Sequence, residues 1–281
     1  MSGLNISFGL IASEDELAAW NRQANSKVAK LVNAIHKQLK LGNSTLQVRI
    51  LPLHHFVDVN KMIKTKQMKV ELLEIFGNDD MVANAARVSF GKEASNYTVE
   101  QNEKLIKYLA EHNHTSPFRH PQLQYRITCP IYVERQLFKH QVGLTANSIS
   151  GRYVDFEDNY YKIKDFRLQS KSSKQGSAGH LERYDNDAAL MIQDAVINYC
   201  ATAYHELLQL GVAKEQARTI LPLNLETTFI WTGSLLAYIN FWKLRITRDT
   251  QLETMQIAMD MLCELKMRTN CFQNSLKAFH I

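Results

Sequence analysis

Hydrophobic and polar positions divide the chain into two textures, with the change near Met68. Before it, Leu17, Trp20, Ala24, Val28, Leu31, Val32, Ile35 and Leu39 recur at helical spacing. Ser13 and Glu16 form a capping box ahead of this run, and Gly42 supplies the stop. Residues 44–59 read as extended, interrupted by Pro52, and 61–67 read as a basic, polar linker. After it, residues 68–76 alternate as a strand and Gly77–Asp80 is turn chemistry. Residues 80–88 fit a helix, and 98–112 fit a second one with Thr98 as its cap. A strand is expected over 123–130, then helical spacing over 131–142 that Gly143 ends. Residues 169–180 are Ser/Gly-rich and read as a loop. Further helices are expected at about 185–210, 213–220, 226–244 and 249–268. Strands and helices mix without strict alternation, which predicts an α+β fold for 68–281, preceded by a separate unit over 1–67.

Composition narrows the class. A chain of 281 residues with 45% hydrophobic and 22% charged residues is ordinary for a globular protein with a sizeable core. The net charge of +5 lies wholly in residues 1–67, where nine Lys or Arg face four Asp or Glu. That basic segment is either a solvated helix face or a surface for an acidic partner, and nucleic acid is not the expected partner. Glu14, Asp15 and Glu16 stand where the apolar core of a secretory leader would run. The most apolar stretch, 219–244, is broken by Pro222, Asn224, Glu226 and Asn240, so no membrane span is expected. Cys129, Cys200, Cys263 and Cys271 make no metal or CxxC spacing, so a reducing cytoplasm is the expected setting.

Candidate chemistry gathers in four places. In "ERQLFKHQ", Gln136 and His140 are i,i+4 neighbours, as are Arg135 and Lys139, so the face is either solvated or built for an anionic heterocycle. In "NSISGRY", an extended backbone would put Ser148, Ser150 and Arg152 on one side, with Gly151 allowing close approach; a turn with incidental serines is the alternative. The apolar run 226–246 carries Ser234, Asn240 and Arg245, and a buried arginine there needs an anion, a polar ligand or a carboxylate. The same holds for Arg218 before Pro222. "HNHTSPFRHP", 112–121, lacks the spacing of a helical zinc motif and reads as a loop, not a metal site.

Five collinear segments between Met68 and about Phe279 resemble the flavin-dependent thymidylate synthase (ThyX) family. They are "MKVELLEIFGNDDMVANAARVSFGKE", "HNHTSPFRH", "ERQLFKHQVGLTANSISGRY", "ARTILPLNLETTFIWTGSLLAYINFWKLR" and "TQLE". The third resembles the signature RHRx₂SxNExSxRY. The resemblance implies reductive methylation of dUMP to dTMP, with methylenetetrahydrofolate as carbon source and NADPH as reductant through FAD. It implies a homotetramer with active sites between subunits. It gives the dUMP role to Arg135, Gln136, Ser148, Ser150, Gly151, Arg152, Arg218 and Arg245, with Arg245 polarising the pyrimidine. It gives the FAD role to Ser116, Lys139, His140, Gln141 and Asn240, together with the positions of Ser148 and Ser234.

The match has departures. Lys139 and Gln141 stand at signature arginines, and one extra residue lies between His140 and Asn147. Ser148 stands where the signature has Glu, which removes a carboxylate from the pocket; Ser234 and Leu236 stand at the usual Asn and Arg. Loss of one charge-assisted contact costs roughly 1.5–3 kcal/mol, or one to two decades of affinity. A related flavin-dependent pyrimidine-nucleotide (hydroxy)methyltransferase and a nucleotide-binding homologue without turnover are the alternatives. None of the four cysteines looks placed as a nucleophile toward the pyrimidine.

Overall fold

The computed structural model describes residues 68–154, 159–171 and 176–281, and the capped helix expected at 14–41 lies outside them. Contacts divide the chain into two units, whose described parts are 163–167 with 179–221, and 68–162 with 168–178 and 222–281.

The larger unit is built on a four-stranded antiparallel sheet. Its strands are β1 (Lys69–Phe76), β2 (Gln122–Pro130), β3 (Leu144–Ser148) and β6 (Glu226–Ser234), and they lie in the order β1-β2-β6-β3. Alternation explains the central pair: Leu123, Tyr125, Ile127 and Cys129 of β2 and Phe229 and Trp231 of β6 all point into the core. Their register runs from Gln122 opposite Ser234 to Pro130 opposite Glu226. The expected helix over 226–244 is therefore corrected. Its first half is β6, because Thr227, Thr228, Phe229, Ile230, Trp231 and Thr232 favour the pleated sheet and bury alternate positions. Only α6 (Leu235–Arg245) is helical.

Two strands run straight into helices. Pro130 lacks an N–H and so ends β2 while starting α3 (Ile131–Leu137). Ser234 ends β6 and caps α6, its hydroxyl accepting from Ala237 N at 3.3 Å. Helices α1 (Asp79–Arg87), α2 (Val99–Glu111), α6, α7 (Leu252–Arg268) and α8 (Gln273–Ala278) belong to this unit. Asn78 caps α1, and Thr98 and Gln101 form a full capping box on α2, as the Thr98 expectation required. Tyr125, Trp231, Tyr238 and Phe241 stack edge to face at centroid distances of 5.1–5.6 Å. Both phenols of this cluster are satisfied, Tyr125 donating to Met261 O at 3.1 Å and Tyr238 to Trp231 O at 2.8 Å.

In the smaller unit, the 27-residue helix α4 (Arg183–Gln209) holds the segment 163–166 with two amides seven residues apart. Gln193 makes a reciprocal pair with the Ile163 backbone at 3.0 Å each way, and Asn186 accepts from Phe166 N at 2.8 Å. The expected helix at 213–220 resolves into α5 (Lys214–Ala217) and a 3₁₀ turn over Arg218–Ile220. Two short strands, β4 (Arg167–Gln169) and β5 (Ser177–His180), of which residues 168–169 and 177–178 are grouped with the larger unit, fall within and beside the expected Ser/Gly loop and pair with each other.

Candidate active site

The site is set by how α3 hands over to β3. Helical spacing continues to residue 142, but α3 ends at Leu137 and the chain turns through Lys139–Gly143. Two glycines make this possible. Gly143 has φ +73°, and a Cβ on it would stand 3.2 Å from Ser234 Oγ and from Ala237 Cβ. A Cβ on Gly233, across the ladder, would stand 2.6 Å from the Gly143 carbonyl and run into Leu144. The backbones of the turn and of β6 therefore touch directly, with Ser234 N donating to Gly143 O at 3.1 Å.

This turn presents His140 to the end of α6. Arg245 Nε donates to His140 Nε2 at 2.8 Å, which requires the neutral imidazole with Nε2 unprotonated. Burial, and then the Arg245 charge, hold the His140 pKa below its usual range. The imidazole also meets the Phe241 ring edge-on, with centroids 5.0 Å apart. Arg245 is half-buried, and its hydrogen-bond partner among the described residues is this imidazole.

Gln136 ties α3 to the start of α7. Its amide oxygen accepts from Thr254 Oγ1 at 2.9 Å, and its amide nitrogen donates to Gln251 Oε1. Gln251 passes the chain on to the buried Glu253 carboxylate at 2.9 Å. The amide expected to meet a ligand thus has protein partners, and the "TQLE" segment supplies two of the residues in this chain. Arg135 and Lys139 are exposed, as are Gln141, Ser116 and Asn240. Ser234, by contrast, is buried and acts as the cap of α6.

The extended reading of "NSISGRY" is corrected beyond Ser148. Ile149 N still bonds Thr228 O at 2.9 Å, but Ser150 then opens a turn, its carbonyl accepting from Tyr153 N and Val154 N. Ser150 Oγ accepts from Arg152 N at 3.3 Å, so Ser148, Ser150 and Arg152 do not share a strand edge. Gly151 is buried within this turn and Arg152 is exposed. Arg218 lies in the smaller unit, exposed at the head of its 3₁₀ turn. Sequence reasoning assigned no role to Glu134, yet Ser148 Oγ donates to Glu134 Oε1 at 2.7 Å. Burial raises the Glu134 pKa, opposed by that hydroxyl and by the Arg135 charge.

A half-buried imidazole and guanidinium flanked by exposed cations and amides is the donor set of a site for an anionic, heteroaromatic ligand. Comparison with known proteins narrows this class. The family described as "Thymidylate synthase complementing protein" (Thy1) matches residues 71–269. A flavin-dependent thymidylate synthase of Thermus thermophilus is 40% identical over 189 residues, 67% of this chain and 68% of that protein. One from Kosmotoga olearia is 37% identical over 190 residues, covering 68% and 81%. Among solved structures, the UMP/dUMP methylase PolB from Streptomyces cacaoi, bound with 5-Br dUMP, aligns with a TM-score of 0.69 at 25% identity. That alignment covers 77% of this chain and 96% of the other. The chain belongs to the Thy1 family, the family of the flavin-dependent thymidylate synthases.

Proposed function

We propose that this chain methylates dUMP reductively to dTMP, with FAD as cofactor and methylenetetrahydrofolate and NADPH as co-substrates. The observation that carries this reading is the Arg245–His140 contact, made by the arginine to which the family resemblance gives the role of polarising the pyrimidine. Arg245 is permanently charged and can stabilise negative charge developing on the N3–C4–O4 edge of uracil. His140, kept neutral, accepts one guanidinium N–H and so orients the plane of the others toward the ligand. Ser150 and Arg152 hold the nucleotide phosphate, the role the resemblance also gives to Arg218, while Arg135 adds positive charge beside it.

The residues present fit FAD. The Lys139–Gln141 turn is exposed, and His140 brings it against Phe241, next to exposed Asn240. An ammonium, amides and an imidazole at one place suit diphosphate and ring edges, and Ser116 adds a hydroxyl. When bound, the flavin supplies the reducing electron pair. Cys129, Cys200 and Cys271 are poorly suited as nucleophiles, because burial raises the pKa of each thiol and keeps it protonated.

A homotetramer is part of the proposal. Tyr184, Met191, Ile192, Val196 and Tyr199 form an exposed apolar stripe along α4, and Val142 and Tyr153 beside the site are 91% and 77% exposed. Among the described residues no helix is long and apolar enough to cross a membrane. We also propose 68–281 as the catalytic domain, with 1–67 a basic extension. Incubation with dUMP, the folate, NADPH and FAD should yield a nucleotide one methyl group heavier, and absence of any product contradicts the reading. UMP belongs in the same assay, because the PolB methylase is described for both nucleotides.

A further inference from the structure

We propose that Glu134 is the carboxylate of the nucleotide pocket, accepting a hydrogen bond from a sugar hydroxyl while the Ser148 hydroxyl holds it in place. This rests on the function proposed above. Glu134 lies on α3 next to Arg135 and Gln136, and its side chain crosses to the last residue of β3. It is therefore the link between the two segments that carry candidate nucleotide residues: Arg135 on one side, and Ser148, Ser150 and Arg152 on the other. The bond is well formed, 2.7 Å from Ser148 Oγ to Oε1, with the hydroxyl donating to the carboxylate.

One donor does not exhaust a carboxylate, which offers about four acceptor positions on two oxygens. Burying it half-way is costly unless further donors reach it, and burial does raise its pKa. A bound ligand can supply those donors. Phosphate cannot be the partner, because two anions would repel. Arg245 and His140 serve the ring edge. The remaining donors of a nucleotide are its sugar hydroxyls. The signature places Glu at 148, where this chain has Ser; here the carboxylate comes from α3 and the strand supplies only the hydroxyl that positions it. The hydroxyl could belong to dUMP or to the ribityl or ribose portion of FAD.

Calorimetry on the full chain with dUMP, 2′,3′-dideoxy-UMP and FAD separates the sources. Glu134→Gln keeps the shape and a Ser148 partner but loses the charge, and Glu134→Ala removes both. If the dUMP hydroxyl is the partner, both variants weaken dUMP about 10- to 100-fold and leave the dideoxy analogue unchanged. If the FAD hydroxyl is the partner, FAD weakens by that factor and dUMP does not. Ser148→Glu alone should weaken binding, because it sets two carboxylates together, and Glu134→Ala added to it should recover most of the loss. If Glu134→Gln, with unchanged circular dichroism, binds both ligands as the parent does, the proposal is overturned. A parent chain that binds neither dUMP nor FAD overturns instead the functional reading on which the proposal stands.

Discussion

Arg245→Lys is the informative perturbation of this site, because it keeps the charge and removes the geometry. In the structure Arg245 Nε is engaged by His140 at 2.8 Å while the rest of the guanidinium stays half-exposed. A lysine has one nitrogen on a flexible stem and cannot hold His140 and face a pyrimidine edge together. Losing a charge-assisted contact to the nucleotide costs roughly 1.5–3 kcal/mol, about a 10- to 100-fold loss in dUMP affinity. Losing a preorganised donor at developing charge costs roughly 2.7–4 kcal/mol more, on the order of a 10²- to 10³-fold loss in kcat. The fold should be nearly unaffected, since one half-buried hydrogen bond is worth about 1 kcal/mol and shifts Tm by about 2–4 °C in a chain of this size. Arg245→Lys should therefore resemble Arg245→Ala in turnover, with FAD content and Tm close to the parent. Single-turnover kinetics with prereduced flavin, alongside thermal unfolding, measure both. Near-parental turnover in Arg245→Lys would refute the claim that the guanidinium's several donors are required.

Other predictions follow from particular contacts. Gly233→Ala should destabilise the protein by about 1–3 kcal/mol, because the added methyl meets the Gly143 carbonyl and Leu144; urea titration checks this, and an unchanged midpoint contradicts it. His140 has a folded pKa below its ordinary value of about 6.5, so the unfolded chain takes the proton first. Its contribution is complete above about pH 6.5 and is lost as pH falls through that value toward the folded pKa. Tm measured from pH 8 to pH 5 should fall more for the parent than for His140→Gln, and a smaller fall in the parent contradicts this. Replacing Cys200, Cys263 and Cys271 by Ser and the buried Cys129 by Ala should preserve most dUMP-dependent turnover. A single such change that removes turnover while dUMP still binds would show a cysteine nucleophile.

Much of the fold was legible in the sequence where one signal dominated. The Thr98 cap, the break at Pro130 and the alternation of β1 and β2 were all local and unopposed. The run 226–244 was not legible as strand plus helix, because β6 passes into α6 without an intervening loop and both are apolar. Its β-branched and aromatic half, ending at Gly233, carried the missed signal. The turn at Lys139–Gly143 was hidden because helical spacing continues past Leu137, while the close packing that ends the helix involves Gly233, far along the chain. In the site, residue types pointed to Arg245 and His140 separately, but their direct bond spans 105 positions and only the fold reveals it. Glu134 was overlooked for the same reason: its partner is on another element, and the clue was the missing carboxylate at Ser148.

The central claim is that flavin held in this site supplies the two electrons that turn the methylene group taken from the folate into the methyl group of dTMP. Reoxidation of dithionite-reduced, FAD-loaded protein under anaerobic conditions, followed by flavin absorbance, tests it most directly. The flavin should reoxidise when dUMP and methylenetetrahydrofolate are both present, with dTMP formed in step, and should stay reduced when either is omitted. Flavin that stays reduced with both present, in protein that binds both, would contradict the account.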